Sequence, residues 1–152
     1  GVNKDSFVVD AGRGCGVIAA LLGKYAKKVV SYDIREDHSK IAKRNLKFLG
    51  VNNVELKIGD VYEGISERNV DILTLDLAEP WNISFDCMKK GGMIIVYLPT
   101  IIQVSEFCEK ADVYVDKVVE LIEREWHVKG RKVRPESSML GHTAFLIIAR
   151  KY

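Results

Sequence analysis

Short apolar runs alternate with segments of helical periodicity from almost the first residue of this chain. Ser6–Asp10 is an apolar run leading into glycines at 12, 14 and 16, and Val17–Tyr25 then reads as a helix. Val29–Asp33 predicts a second strand. The next helix is expected over Asp37–Leu49, with apolar contacts from Ile41, Leu46, Phe48 and Leu49. Gly50 ends it, because glycine takes the left-handed conformation that closes a helix. Val54–Ile58 and Asp71–Asp76 predict two more strands. A short helix is expected near Ile83–Lys89, after which Gly91-Gly92 turns the chain into a fifth strand, Met93–Leu98. Pro99 stops that strand, and the spacing predicts a helix over Ile101–Lys110.

Repeated strand–helix alternation implies a parallel sheet with helices on both faces, a Rossmann-like α/β architecture. The last third is less regular. In Lys117–Val128 the residues Val118, Leu121, Ile122 and Trp126 fit a helix face, while Val118, Ile122, Trp126 and Val128 also share strand parity. Thr143–Arg150 predicts a strand. The ending reads as two strands linked by a long loop, a terminal pair that closes a mostly parallel, seven-stranded sheet with an antiparallel carboxyl-terminal strand.

A length of 152 residues suits one domain with one core. Apolar residues make up 47% and charged residues 29%, and no apolar run approaches the roughly 20 residues that span a bilayer. Three cysteines without CxxC spacing, Cys15, Cys87 and Cys108, suit a reduced, cytoplasmic protein, and the scattered histidines give no reason to expect a metal. The net charge of +2 hides an uneven distribution. Residues 1–59 carry 11 basic and 6 acidic side chains, 60–125 carry 6 and 14, and 126–152 carry 6 and 1. The basic ends suit a polyanion; a solvated surface accounts for them equally well. Lys40, Lys43, Arg44 and Lys47, at helical spacing, read as a solvated helix face.

Asp10-Ala11-Gly12-Arg13-Gly14-Cys15-Gly16 follows the first strand, where glycines let backbone approach a ligand closely and the next helix adds positive potential. Dinucleotide enzymes use G-x-G-x-x-G. Here the spacing is G-x-G-x-G with Val17 next, which suits S-adenosylmethionine better than NAD. Asp33, followed by Ile34, ends the second strand, where a carboxylate can accept both ribose hydroxyls; a turn residue is the plainer alternative. Gly59-Asp60-Val61 follows the third strand and suits the adenine. Cys15 has no histidine near it in sequence and reads as a small packing residue.

Three further segments are specific together: Leu75-Asp76-Leu77-Ala78-Glu79-Pro80-Trp81, Leu98-Pro99-Thr100-Ile101-Ile102-Gln103-Val104, and Arg134-Pro135-Glu136-Ser137-Ser138-Met139-Leu140-Gly141-His142-Thr143-Ala144-Phe145-Leu146. With the glycine loop they resemble, in order and over nearly the whole chain, the tRNA (adenine-N1)-methyltransferases of the TrmI type, class I enzymes dependent on S-adenosylmethionine. The resemblance implies methylation of adenine N1 in the T-arm of tRNA. It implies Asp76 as the catalytic and cofactor-facing carboxylate, and substrate contacts from Glu79, Pro80, Trp81, Arg134, His142 and Thr143. It also implies tRNA as partner and a homo-oligomer, a tetramer in the family. Members carry a small amino-terminal domain before the glycine loop, so residues 1–152 are expected to be the catalytic domain alone.

Plainer readings stand beside these. Asp76 can cap a helix and Trp81 can cover the core. His142-Thr143 can simply begin the last strand, and Arg134 can pair with Glu136 or Glu125. A small-molecule methyltransferase of the corrin type, or a non-catalytic RNA-binding subunit, would share the fold.

Overall fold

The computed structural model describes residues 1–12 and 14–152. Among the described residues nine strands and three helices run in the order β1 (Phe7–Ala11), α1 (Val17–Tyr25), β2 (Lys28–Asp33), α2 (Glu36–Phe48), β3 (Val54–Ile58), β4 (Val70–Leu75), a 3-10 turn at Pro80–Asn82, β5 (Met88–Leu98), α3 (Ile101–Lys110), β6 (Tyr114–Glu120), β7 (Trp126–Lys129), β8 (Lys132–Pro135) and β9 (Phe145–Arg150). Seven strands form one sheet ordered β3-β2-β1-β4-β5-β9-β6. The pairs from β3 to β5 are parallel, and β9 runs antiparallel to both β5 and β6. The strand order reverses between β1 and β4, the place where open α/β sheets hold ligands.

β1 reads as a continuous apolar run because both of its faces are covered. Val8 packs with Val29, Ile72 and Leu22 of α1, whereas Val9, Val30, Leu73 and Ile94 join Val104 and Phe107 of α3 on the opposite face. α2 lies beside α1, and Gly16 makes this possible: a Cβ there would sit 2.8 Å from that of Ala42. At the other end of α2, Gly50 has φ +66, its N–H donates to the Lys47 carbonyl (3.3 Å), and the Val51 N–H donates to the Leu46 carbonyl (3.0 Å). That is the paired bonding by which a left-handed residue satisfies the last carbonyls of a helix.

Several expectations need correction. The buried face of α2 is Ala42 and Leu46; Ile41 and Leu49 are exposed and Phe48 is 89% exposed. No helix forms over residues 83–89. Ile83, Phe85 and Cys87 are buried, and the chain turns tightly at Asp86-Cys87, where the Met88 N–H donates to the Phe85 carbonyl (3.0 Å) on the way into β5. Gly91-Gly92 lies inside β5, which begins at Met88, and the β4–β5 register shifts between Val70 and Ile72. The ambiguous stretch begins as β6. The loop after it holds a separate two-stranded hairpin, β7–β8, turned at Gly130 with φ +58. The last strand starts at Phe145, leaving Thr143 outside it. Among the described residues no helix is long and apolar enough to cross a membrane.

Candidate active site

The carboxyl ends of β1, β2, β3 and β4 converge on one edge of the sheet, and each delivers a residue singled out by the sequence. Asp10 is 4% exposed and accepts hydrogen bonds from Ser31 Oγ and Thr74 Oγ1, each at 2.7 Å. These two residues are its register partners on β2 and β4, so the carboxylate ties three strands together just before the edge. Ala11 is fully buried, and its carbonyl accepts the Asp76 N–H at 2.9 Å. Gly12 follows with φ +92, and a Cβ built on it would lie 2.0 Å from the Asp76 carbonyl oxygen. The glycine loop and the segment after β4 therefore meet backbone to backbone. Arg13 lies outside the described residues.

Asp33 accepts the Arg35 N–H (2.8 Å) at one oxygen, and the Gly14 N–H (2.9 Å) and His38 Nδ1 (3.1 Å) at the other. Burial acts to raise its pKa, but the bonds from Arg35, His38 and Gly14 together outweigh it and hold the carboxyl below the usual range. Asp60 accepts the Tyr62 N–H at 2.9 Å, shaping the turn after β3. The Tyr62 hydroxyl in turn accepts the Glu79 N–H at 3.2 Å, joining that turn to the segment carrying Asp76.

Two cavities open along this edge and share Gly12 as a wall. The smaller, about 140 Å³, is lined by Asp33, Ile34, Asp60, Val61 and Tyr62 among others. The larger, about 380 Å³, is walled by Asp10, Gly14, Cys15, Ile18, Asp76 and Tyr97 among others. Asp76 faces solvent at the end of β4, yet the apolar walls around it push its pKa up through desolvation. Gly16 belongs to neither lining; it starts α1 and packs on Ala42.

The segment after Asp76 is held from the α3 side as well. Gln103 Nε2 donates to the Ala78 carbonyl at 3.0 Å, and Thr100, which caps α3, donates its hydroxyl to Gln103 Oε1 at 2.8 Å. The Leu-Pro-Thr segment thus braces the Leu-Asp-Leu segment, a link that no feature of either segment announces separately. Tyr97, also missed in the sequence, stands in the larger cavity beside Asp76; it is the polar-tipped member of an otherwise apolar strand end. Among the described residues no group of three or more His, Cys, Asp or Glu is arranged to hold a metal.

The remaining sequence candidates scatter. Pro80 is buried and opens the 3-10 turn, and Glu79 Oε2 accepts from Asn82 Nδ2 at 2.8 Å. Trp81 packs against the core beneath Lys110, whose Nζ lies 5.3 Å from the ring centroid, so Trp81 covers the core here. Arg134 sits on the β7–β8 hairpin and donates to Ser137 Oγ at 3.2 Å, while Glu136 lies against His127. Thr143 lines a separate concavity of about 650 Å³ with Leu121, Ile122, Met139 and Leu140. His142 uses both ring nitrogens within the protein, one on the Glu120 carboxylate and one on the Pro99 carbonyl.

A family model described as protein-L-isoaspartate (D-aspartate) O-methyltransferase matches residues 1–122. The tRNA (adenine(57)-N(1)/adenine(58)-N(1))-methyltransferase TrmI of Methanocaldococcus jannaschii is 35% identical over 99% of this chain and 66% of its own length. Among solved structures, an S-adenosylmethionine-dependent O-methyltransferase of Thermotoga maritima superposes with a TM-score of 0.93 at 32% identity, over 99% of this chain and 60% of its own. The tRNA (m1A58) methyltransferase TrmI of Aquifex aeolicus gives 0.91 at 28% identity, over 99% and 60%. The chain therefore spans less than two thirds of the length of each of these relatives.

Proposed function

Because the chain belongs to the class I S-adenosylmethionine-dependent methyltransferases, matching the isoaspartate-methyltransferase family model over residues 1–122 and a TrmI relative over 99% of its residues, we propose that it methylates N1 of adenine in the T-arm of tRNA to give 1-methyladenosine. The observation that carries this choice is that a tRNA-methylating relative matches the hairpin and the Arg134–Leu146 segment along with the rest of the chain. The O-methyltransferase model stops at residue 122, before the hairpin and the Arg134–Leu146 segment, whereas the TrmI relative matches 99% of the chain.

The site suits the cofactor on its own terms. The two cavities meet at Gly12, where backbone replaces side chain, and an acidic residue stands at the ends of β2 and β3. In this reading Asp33 accepts the ribose hydroxyls, Asp60 and Val61 border the adenine, and Asp10, Gly12, Gly14 and Cys15 face the methionine half. S-adenosylmethionine supplies an activated methyl group whose departure needs no general acid. Adenine N1 has an in-plane lone pair and need not lose a proton before it attacks. Asp76 accepts a hydrogen bond from the adenine N6 amino group, which orients the base and enriches N1. It then offsets the positive charge that the ring gains as the N–C bond forms and the methyl's bond to sulfur breaks, a preorganised electrostatic role. Tyr97 offers a face on which the extruded base stacks.

The β7–β8 hairpin gives the substrate a place to rest. Cross-strand pairs put His127, Lys129, Lys132 and Arg134 on one face and Trp126, Val128, Val133 and Pro135 on the other. Lys129 stands directly opposite Lys132, a like-charge pairing that a polyanion relieves. The apolar face is open, with Trp126 57%, Val128 71% and Val133 58% exposed. It suits contact with further copies of the chain, in keeping with the tetramers of the family.

Nucleoside mass spectrometry of unmodified tRNA incubated with the chain and S-adenosylmethionine should show 1-methyladenosine. Methylation of an isoaspartyl peptide instead would assign the O-methyltransferase activity. No transfer to either, with tRNA still bound, would point to a non-catalytic subunit. The hairpin's four cations, with Arg131 in place of His127, should make tRNA affinity fall with salt at a log–log slope of about −3. Replacing Lys129, Arg131, Lys132 and Arg134 with serine should abolish most of that slope in a binding titration. An unchanged slope would remove the hairpin from the RNA interface.

A further inference from the structure

Two sets of hydrogen bonds, joined by the Pro99–Thr100 peptide link, lead from β6, at the sheet's edge, to the segment that carries Asp76. The path begins at His142. Nδ1 faces the Glu120 carboxylate, at the end of β6, and Nε2 faces the Pro99 carbonyl at 2.8 Å, at the corner between β5 and α3. Both partners are acceptors. A neutral imidazole carries one N–H and satisfies one of them; the imidazolium satisfies both. The third neighbour, from β9, is the Phe145 ring, centred 4.8 Å away, which is uncharged and tolerates a cation on its face. Glu120 is thus the charged group that acts on His142.

Beyond Pro99 the path continues through the start of α3. Thr100 accepts the Gln103 N–H (3.3 Å) and donates to Gln103 Oε1 (2.8 Å), so the amide can turn only its NH2 group to the Ala78 carbonyl, 3.0 Å away. Ala78 is two residues from Asp76, whose own carbonyl is pressed against Gly12. Moving the Pro99 corner therefore moves the Gln103 brace and with it the segment that presents the carboxylate.

We propose that His142, held as an imidazolium between Glu120 and the Pro99 carbonyl, is a positioning residue for the Asp76 segment, acting through Thr100 and Gln103 and not by touching the substrate. The kinetic part of this inference rests on the tRNA-methylating function; the spectroscopic part does not. Glu120 first, and then the Pro99 carbonyl, raise the pKa of His142 above the histidine value. A raised folded pKa means that the clasp contributes fully below the unfolded value, about 6.5. Its contribution is lost as pH rises through the raised one.

The test is an NMR titration of the full chain from about pH 6 to 9, across the range in which histidine changes charge, following the His142 ring nitrogens and the Ala78 amide. Both signals should move with one midpoint above the ordinary histidine value. Glu120→Gln should lower that midpoint, and Gln103→Ala should erase the step at Ala78 while leaving the ring's titration in place. In tRNA methylation, kcat should fall over the same alkaline range with KM for tRNA unchanged, and Glu120→Gln should shift that fall to lower pH. Gln103→Ala should lower kcat roughly tenfold at all pH, the scale of loss that displaced catalytic groups bring. An Ala78 signal indifferent to His142, or a ring that titrates at the same midpoint in Glu120→Gln, would overturn the proposal. A His142→Gln variant that raised KM and left kcat intact would do so as well, because it would place His142 on the RNA. If the wild-type chain methylates no tRNA, the functional reading fails and the two NMR signals still decide the clasp.

Discussion

Asp76→Ala is expected to lower 1-methyladenosine formation by about 10²–10³-fold, the loss that removal of a preorganised charge-stabilising group brings, while the protein stays folded. The second half of that expectation separates a functional residue from a structural one. Desolvation raises the Asp76 pKa, so the folded protein disfavours its charged form. A carboxylate raised in this way weakens the fold at neutral pH, and its removal should leave the melting temperature unchanged or higher. Asp76→Asn keeps an acceptor for the N6 amino group but no charge, and should fall between alanine and wild type. The wild-type rate should also decline toward acid, through a pKa above that of an ordinary aspartate. Parallel nucleoside mass spectrometry and thermal melts would check these points. Transfer within about threefold of wild type in the alanine variant would move the catalytic role elsewhere, since preorganised groups contribute far more than that.

Gly12→Ala should remove cofactor binding and destabilise the fold together, by about 2–3 kcal/mol. The added methyl group would have to occupy space 2.0 Å from the Asp76 carbonyl oxygen, in backbone that no flexible side chain can vacate, at φ +92. Gly14 provides the control. Its φ is +51 and nothing lies within 4 Å of a Cβ built on it, so Gly14→Ala meets only the conformational penalty, about 1 kcal/mol. Urea unfolding and calorimetric titration with S-adenosylmethionine would distinguish the pair. Equal losses in both variants would mean that the contact with Asp76 is not what makes Gly12 necessary.

The parallel half of the sheet was legible because β1, β2 and β4 are buried on both faces and its strands are punctuated by glycines and acids at their ends. α1 and α3 have the bounds that periodicity predicts, and the residues Gly12, Asp33, Asp60 and Asp76 fall on one edge as their positions after successive strands require. Local pattern failed where tertiary pairing decides. Gly91-Gly92 looks like a turn, but a Cβ on Gly92 would meet the Val70 carbonyl at 3.1 Å, so the glycine serves close strand pairing inside β5. The β7–β8 hairpin is written in the sequence as alternation on either side of Gly130-Arg131, with Trp126, Val128, Val133 and Pro135 brought to one face, and the long-loop reading passes over it. The engagement of His142 could not be read at all, since its partners lie 22 and 43 residues away and one of them is a backbone carbonyl.

The placement of β9 between β5 and β6 sets the order in which the molecule can be completed. A chain emerging from the ribosome can assemble β1 to β5, with α1, α2 and α3, from residues already made, because β1 to β4 pair only within this set and β5 already has β4 beside it. β6 then emerges with no strand to bond, since its partner is not translated until residues 145–150. His142 arrives just before it. The edge that gathers the carboxylates can exist on a nascent chain, but the path that reaches it from Glu120 cannot. A methyl donor could find its pocket before residues 142–150 are made, whereas the fully braced Asp76 segment must wait for them.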